Sequence, residues 1–209
     1  MTRHILLLCL LGNPFELNLG GHQRTVLEII EHFKDMPRLE ITVITTTKSS
    51  LKQLTPNHLY SNIVLYEIPI KKEWFENQDL LYDNRNFLYE TVKKIYENIK
   101  HPITLVHSTY WISGLLASQL CIEYHLTQIH SVISTSCERK RNGFSPVSSH
   151  QYESEQFFLP KVDRIISITE SEYELLIEKY HIEPHKIIVV GRTVADCFLR
   201  PAHLPSGNL

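Results

Sequence analysis

The apolar run at residues 4–11 is the feature that most constrains how this chain can fold. Its core is continuously apolar, so a strand there has to be covered on both faces, as strands of parallel sheets are. Residues 22–33 then place apolar side chains at helical spacing, and residues 40–46 are rich in β-branched side chains. The same alternation continues along the chain. It predicts an α/β fold: a Rossmann-like, doubly wound and mostly parallel sheet.

The pattern places the other elements as follows. Further strands are predicted at residues 63–68, 103–107, 129–135, 162–168 and 186–190. Helices are predicted from Leu81 to the break at Pro102, at 112–124, at 151–159, and up to Tyr180, the last one capped by Thr169 with capping-box spacing to Glu172. Residues 71–79 and 137–150 are expected to be loops. We expect one domain over residues 1–198 and a linker-like tail over 199–209.

Composition excludes several classes of function. The net charge of -2 gives no field that would attract nucleic acid or an anionic membrane. No apolar stretch approaches the roughly 20 residues of a membrane span. The twelve histidines and four cysteines form neither a His-Glu-x-x-His nor a Cys-x-x-Cys pattern, so no metal site is expected. A signal peptide is disfavoured because no small-residue cleavage site follows the apolar run, and a cytoplasmic location is expected.

Ligands of such sheets bind beyond the carboxyl ends of the strands. That rule points to the loops after Leu11, His107, Thr135 and Ile168. The first loop holds Gly20 and Gly21 just before a helix, where free N–H groups attract an anion. The same glycines are equally compatible with a plain turn. They do not form the Gly-x-Gly-x-x-Gly fingerprint, so a nicotinamide cofactor is disfavoured.

Two other loops carry candidate ligand contacts. In residues 106–114, Tyr110 and Trp111 could stack on a sugar beside neighbouring hydroxyls, or they could be core anchors. In residues 138–141, Arg139 and Lys140 could hold a phosphate, or the charge run could be a solvated loop. For His107 and His130, a hydrogen-bonded core position is the more common outcome.

Four segments, in this order, resemble glycosyltransferase family 4, and within it the branch of sucrose synthase and sucrose-phosphate synthase. Residues 13–23 resemble the family's first loop and glycine pair, and residues 105–114 resemble its His-x-His-Tyr-Trp-x-Ser-Gly stretch. Residues 165–172 resemble its sixth strand and the following helix, and residues 186–201 resemble the segment that leads into a second domain. The resemblance covers nearly the whole chain.

The resemblance implies the GT-B fold, in which two Rossmann-like domains face a cleft. The first domain binds mainly the acceptor, and the second binds the nucleotide sugar and carries a Glu-x7-Glu motif. This chain is expected to be the first domain, with the second supplied by a C-terminal domain or by a separate chain. A nucleoside-diphosphate sugar would be the donor substrate, with no metal or other cofactor.

The resemblance also assigns residues to roles. Gly20, Gly21 and Gln23 would lie at the donor phosphate or transferred sugar. The acceptor side would be formed by residues of three loops: His107, Tyr110, Trp111, Ser113, Gly114, Ser136, Arg139 and Lys140.

Three departures from the family pattern limit what the resemblance implies. Thr109 replaces the second histidine of the His-x-His stretch. Residues 134–137 contain no histidine where the family places one that meets the transferred sugar, so no catalytic residue is assigned. Residues 191–195 differ from the family's Pro-x-Gly-Val-Asp.

Two functions are therefore carried forward. The first is transfer of a hexose to an acceptor hydroxyl with retained configuration, by a domain that is inactive alone. The alternative is a non-catalytic domain that binds a sugar or docks onto a partner and completes a site with a separate chain. A dehydrogenase is disfavoured by the missing dinucleotide fingerprint.

Overall fold

A computed structural model describes residues 2–16, 20–48 and 54–191. Eight strands form one sheet in the order β3-β4-β2-β1-β5-β6-β7-β8. The strands are β1 (Arg3–Cys9), β2 (Leu39–Thr47), β3 (Asn57–Tyr60), β4 (Ile63–Pro69), β5 (Leu105–Thr109), β6 (Gln128–Ser131), β7 (Arg164–Ser167) and β8 (Ile187–Val189). Every neighbouring pair is parallel except β3 with β4. The predicted α/β class and mostly parallel sheet are confirmed.

Across the ranges given above, eight α-helices connect these strands: α1 (Gly21–Phe33), α2 (Lys72–Glu76), α3 (Gln78–Asp83), α4 (Arg85–Glu97), α5 (Trp111–Tyr124), α6 (Ser136–Arg141), α7 (Gln151–Phe158) and α8 (Glu170–Tyr180). The predicted cap of α8 is confirmed, because the Thr169 hydroxyl accepts a hydrogen bond from the Glu172 N–H at 3.1 Å. Within the described residues, no helix combines the length and the apolar character that crossing a membrane requires.

The sheet is buried on both faces, as the apolar run predicted. Alternate residues of β1 point to opposite faces. Leu6 and Leu8 join a large cluster with side chains of α4, α5, α7 and α8. Leu7 and Cys9 join a smaller cluster with Val26 and other side chains on the α1 side. This two-sided burial fixes the register of β1 against β2 and β5 and places their carboxyl ends side by side.

Three local predictions were wrong and one strand was missed, in each case because a short polar element carries little hydrophobic signal. The 71–79 segment contains α2 and the start of α3, and the expected long helix is two helices that meet at Asn84. The break follows because the Asn84 amide donates back to the Leu80 carbonyl and competes with helix continuation. The edge strand β3 was missed altogether. The segment 137–150 contains most of α6, which Thr135 caps by accepting from the Glu138 N–H at 3.1 Å.

Some observed strand ends differ from the predicted ends by a few residues. The strand predicted to reach Thr135 ends at Ser131, and the chain between them turns through Ser134 at a φ of 62°. The predicted domain end at 198, the tail at 199–209 and the divergent positions 192–195 lie outside the described residues.

Candidate functional site

The strand order changes direction between β1 and β5. From β1 the chain moves to β2 on one side, and after β4 it returns to β5 on the other side. A crevice forms at such a switch point, beyond the carboxyl ends of the strands. Three turns at this edge hold positive φ angles: Gly12 after β1 (104°), Tyr110 after β5 (68°) and Ser134 after β6 (62°). Non-glycine residues seldom adopt this conformation, and such backbone strain concentrates at functional sites.

The start of α1 lies at this switch point. Gly20 is its N-cap in an extended conformation, without a side-chain cap and without an acidic residue in the first turn. Gln23 packs onto the loop and donates to the Leu11 carbonyl at 3.0 Å. A Cβ on Gly20 would lie 2.8 Å from the Gln23 amide oxygen, and one on Gly12 would lie 2.9 Å from its nitrogen. A side chain on Gly20 would therefore displace the end of the Gln23 side chain, whereas a Cβ on Gly21 would meet no described atom within 4 Å.

His22 joins α1 to the end of β5. Its Nε2 lies 2.9 Å from the Thr109 hydroxyl, and its ring centroid is 5.5 Å from that of Tyr110. Burial lowers the pKa of His22 to about 4. The ring is therefore neutral at physiological pH, and its contacts with Thr109 and Tyr110 hold the start of α1 against the turn after β5.

Tyr110 and Trp111 are core anchors of the β5 turn. Only 6% of Tyr110 and 2% of Trp111 are exposed. The Gln78 amide oxygen accepts from Trp111 Nε1 at 2.9 Å and from the Tyr110 hydroxyl at 3.3 Å. Of the two interpretations of these aromatic side chains, the structure supports the packing one, because neither ring offers a face to a sugar.

The remaining predicted residues of this stretch also lie in the interior. His107 Nε2 is 2.8 Å from the Ser131 hydroxyl, and burial lowers the pKa of His107 to about 4. The Ser113 hydroxyl accepts from the Leu10 N–H at 2.8 Å. A Cβ on Gly114 would come within 2.4 Å of the Phe158 ring, so the close approach of α5 and α7 requires glycine there. These residues therefore pack in the interior, where they stabilise the carboxyl edge of the sheet.

An open pocket of about 450 Å³ lies beyond the ends of β6 and β7. Its wall is formed by residues of α6, α8 and the adjoining turns: Ser134, Glu138, Arg139, Asn142, Phe144, Ile168, Thr169 and Glu172. Arg139 Nε donates to the Ser145 carbonyl at 2.9 Å, and its guanidinium centre is 5.8 Å from the Phe144 ring centroid. No acceptor in the described part of the chain takes its terminal nitrogens. The pocket thus combines a cation with an aromatic surface that is 61% exposed.

The other two predicted residues of this region lie outside the pocket lining. Lys140 is exposed to solvent. Ser136 is half-buried, and its N–H donates to the Glu155 carboxylate at 3.0 Å. The structure therefore brings Arg139 to the pocket and leaves Ser136 and Lys140 beside it.

Behind the pocket lies a buried carboxylate that the sequence interpretation missed. Glu155 is 3% exposed and also accepts from Gln151 at 2.7 Å and from the Tyr180 hydroxyl at 2.6 Å. Burial raises the pKa of Glu155 to about 7, partly offset by these hydrogen bonds and by that of Ser136. The available signal was the spacing of Gln151 and Glu155 by four residues on the same helix face as the apolar Phe158.

Comparisons with known proteins identify the family and the fold of this chain. The model of Glycosyltransferase Family 4 matches residues 19–195. A D-inositol 3-phosphate glycosyltransferase of Kineococcus radiotolerans is 28% identical over 101 residues, which are 47% of this chain and 23% of that protein. This chain therefore matches less than a quarter of that relative.

Solved structures share the fold. Sucrose-phosphate synthase from Thermosynechococcus elongatus superposes with a TM-score of 0.71 at 15% identity, covering 92% of this chain and 48% of that one. An Arabidopsis thaliana protein in complex with UDP-L-rhamnose gives a TM-score of 0.59 at 12% identity, covering 91% and 49%. The chain spans about half the length of these structures. The sheet order, the glycine-led α1 and the family match together show that this chain belongs to glycosyltransferase family 4, with the Rossmann-like fold of the N-terminal domain of GT-B enzymes.

Proposed function

We propose that this domain forms the acceptor side of a retaining hexosyltransferase that uses a nucleoside-diphosphate sugar. In the reaction, the bond between the anomeric carbon and the diphosphate breaks, and the acceptor oxygen takes its place on that carbon. The acceptor's hydroxyl proton passes to the leaving diphosphate, and the protonated nucleoside diphosphate departs. A second domain, on the same polypeptide or on another chain, would hold the nucleotide, so this domain alone would be inactive.

The observation that carries the proposal is the pocket at the carboxyl edge with the guanidinium of Arg139 in its wall. An arginine whose terminal nitrogens have no acceptor among the described residues suits a phosphate or carboxylate, which it binds with two parallel hydrogen bonds. Phe144 adds an apolar surface on which the C–H face of a sugar ring can stack. We therefore assign the acceptor to this pocket, with Lys140 and Ser136 at its margin.

The start of α1 is proposed as the donor contact. The N–H groups of the first turn, which receive no side-chain cap from Gly20, and the positive end of the helix dipole favour an anion at Gly20 and Gly21. The open space beside Gly21 lets a diphosphate approach the backbone. The solved relative that binds UDP-L-rhamnose supports the choice of a UDP-sugar as the first donor to test.

The buried aromatic and histidine positions are proposed to support the site without touching the ligand. Trp111, Ser113, Gly114 and His107 fix the ends of β1 and β5 through the contacts described above. The described cysteines Cys9, Cys121 and Cys137 are free thiols, which supports a reducing, cytoplasmic location.

Calorimetric titration tests the acceptor pocket. The ligand is D-inositol 3-phosphate, the compound in the name of the Kineococcus relative. Arg139→Ala is expected to weaken binding about tenfold or more, because it removes a charge-assisted pair. Arg141→Ala is the matched control: Arg141 is an exposed arginine of the same helix outside the pocket lining, so binding should stay within about twofold. Equal loss in both variants, or none in either, would contradict the assignment.

A transfer assay separates the two functions. With UDP-sugars and a supplied second domain, the proposed enzyme releases UDP and forms a product whose anomeric configuration, measured by NMR, is that of the donor. Ligand binding without UDP release under the same conditions would favour the non-catalytic alternative.

A further inference from the structure

Helix α3 contacts two separate parts of the carboxyl edge. The sequence pattern gave it no role, since its start was expected to lie in a loop. Its first residue, Gln78, accepts from both Tyr110 and Trp111, as described above. Its second residue, Asp79, accepts from the Ser148 hydroxyl at 2.6 Å and from the Ser149 N–H at 2.9 Å. Two adjacent side chains thus bind the β5 turn and the segment that precedes α7.

Ring contacts strengthen the same connection. The Tyr82 ring stacks on His150, with centroids 4.1 Å apart and planes at 13°. The Arg85 guanidinium lies 4.1 Å from the Tyr82 centroid, and the Trp111 ring lies 6.0 Å from it. Three residues of α3, Gln78, Asp79 and Tyr82, thus contact the two segments, and Arg85 packs on the Tyr82 ring from α4.

The second of these segments carries a wall of the pocket. Residues 142–150 run from the end of α6 to the start of α7 and include Phe144. The Phe144 N–H donates to the Arg139 carbonyl at 2.8 Å, and the Ser145 carbonyl accepts from Arg139 Nε. Arg139 therefore fixes one end of the segment, and Asp79 fixes the other end three to four residues further along.

The first segment is strained. Tyr110 holds a φ of 68° and a ψ of 155°, a region that non-glycine residues occupy only where surrounding contacts impose it. The hydrogen bonds to Gln78 from Tyr110 and from its neighbour Trp111 are two such contacts.

We propose that Gln78 and Asp79 are positioning residues that couple the β5 turn to the Phe144 segment, so that the Phe144 wall of the acceptor pocket holds a fixed spacing from the β5 turn beneath it. The functional meaning of this spacing rests on the proposed acceptor pocket, whereas the coupling itself is a property of the domain. Gln78 acts through the β5 turn, and Asp79 acts through Ser148 and Ser149.

The coupling is tested on the full chain by ¹H–¹⁵N NMR without any ligand. The signal of the Trp111 indole N–H reports the first segment, and the chain has two tryptophans, so it is readily assigned. The Ser149 amide and Arg139 Nε–H report the second. Gln78→Leu removes the oxygen that accepts from Tyr110 and Trp111, and Gln78→Glu keeps an accepting oxygen there. Asp79→Ala removes the hydrogen bonds from Ser148 and Ser149. Asp83→Asn, an exposed acid of the same helix, is the control.

The expected result is reciprocal. Asp79→Ala speeds hydrogen exchange at Ser149 on the order of tenfold, since a charge-assisted bond is lost, and it also shifts the Trp111 indole and Arg139 Nε–H signals. Gln78→Leu shifts the Ser149 amide as well as the indole, Gln78→Glu restores the wild-type spectrum at Ser149, and Asp83→Asn changes none of these signals.

Chemical-shift changes confined to the residues that each substituted side chain contacts would overturn the proposal. They would show that the Gln78 contacts and the Asp79 contacts are independent of each other. If Asp79→Ala does not fold, Ser148→Ala removes the 2.6 Å bond from the other side and should move the same indole signal. Failure of D-inositol 3-phosphate to bind would refute the proposed acceptor pocket and leave these ligand-free signals as the test of the coupling.

Discussion

Replacing Glu155 with glutamine should change how the stability of this domain depends on pH. The ordinary pKa of a glutamate is 4.5, and burial raises the pKa of Glu155 to about 7. The folded state therefore holds this proton more tightly than the unfolded state does. Glu155 contributes its full stability below pH 4.5, and that contribution is lost as the pH rises to about 7.

The size of the effect follows from the shift. One pKa unit corresponds to about 1.4 kcal/mol, so the difference between 4.5 and about 7 corresponds to about 3 kcal/mol of unfolding free energy. Glutamine has nearly the same shape and no titrating proton. The unfolding free energy of Glu155→Gln relative to wild type should therefore rise by about 3 kcal/mol between pH 4.5 and pH 8. Titrating groups that do not interact with Glu155 are common to both proteins and cancel in this difference.

Urea unfolding at several pH values between 4.5 and 8 measures this difference in unfolding free energy between Glu155→Gln and wild type. Glu153→Gln is the matched control, because Glu153 is an exposed glutamate of the same helix and should show a change below about 1 kcal/mol over the same range. A flat difference for Glu155→Gln, or a slope of the opposite sign, would refute the argument that burial dominates over the hydrogen bonds of Tyr180 and Ser136.

Further predictions concern the support beneath the site. Gly114→Ala places a Cβ against the Phe158 ring and should lower the unfolding free energy by about 1–3 kcal/mol. Gly21→Ala is the control: its Cβ meets no described atom within 4 Å, so the unfolding free energy should stay unchanged or rise slightly. Equal losses of unfolding free energy in both variants would contradict the packing argument. Burial lowers the pKa of His107 to about 4 and that of His130 to about 3. Because both folded-state values lie below the ordinary 6.5, their contribution to stability is complete above pH 6.5 and is lost as the pH falls towards 4; imidazole ¹⁵N signals that show protonation of either ring at pH 6 would contradict this.

The sheet could be predicted from the sequence because its signal is spread over many residues. The apolar run at residues 4–11 and the alternation after it allow few other folds, and the Thr169 cap was confirmed in detail. The short elements α2, α3 and β3 could not be predicted, since tertiary contacts stabilise them more than their own pattern does. Gln78 binds Tyr110 and Trp111 across 32 and 33 residues of sequence, a distance that no local spacing reveals.

The candidate site was predictable in its location and less so in its residues. The carboxyl-edge rule selected loops that line the candidate pocket, and Arg139, which the sequence analysis named, lies in its wall. Tyr110 and Trp111 were weighed as sugar contacts or as core anchors, and only the burial around them decides that question. Glu155 was passed over because a carboxylate inside a helix is usually solvated, and its burial depends on Tyr180, which lies 25 residues away.

The most direct test of the account is ¹H–¹⁵N chemical-shift mapping of the full chain during titration with a UDP-sugar and D-inositol 3-phosphate. Perturbed amides are expected to gather at the carboxyl edge: at Gly20 and Gly21 for the UDP-sugar, and around Ser134, Arg139 and Phe144 for the phosphorylated acceptor. Perturbations at the opposite, amino-terminal edge of the sheet, or none at saturating ligand, would contradict it.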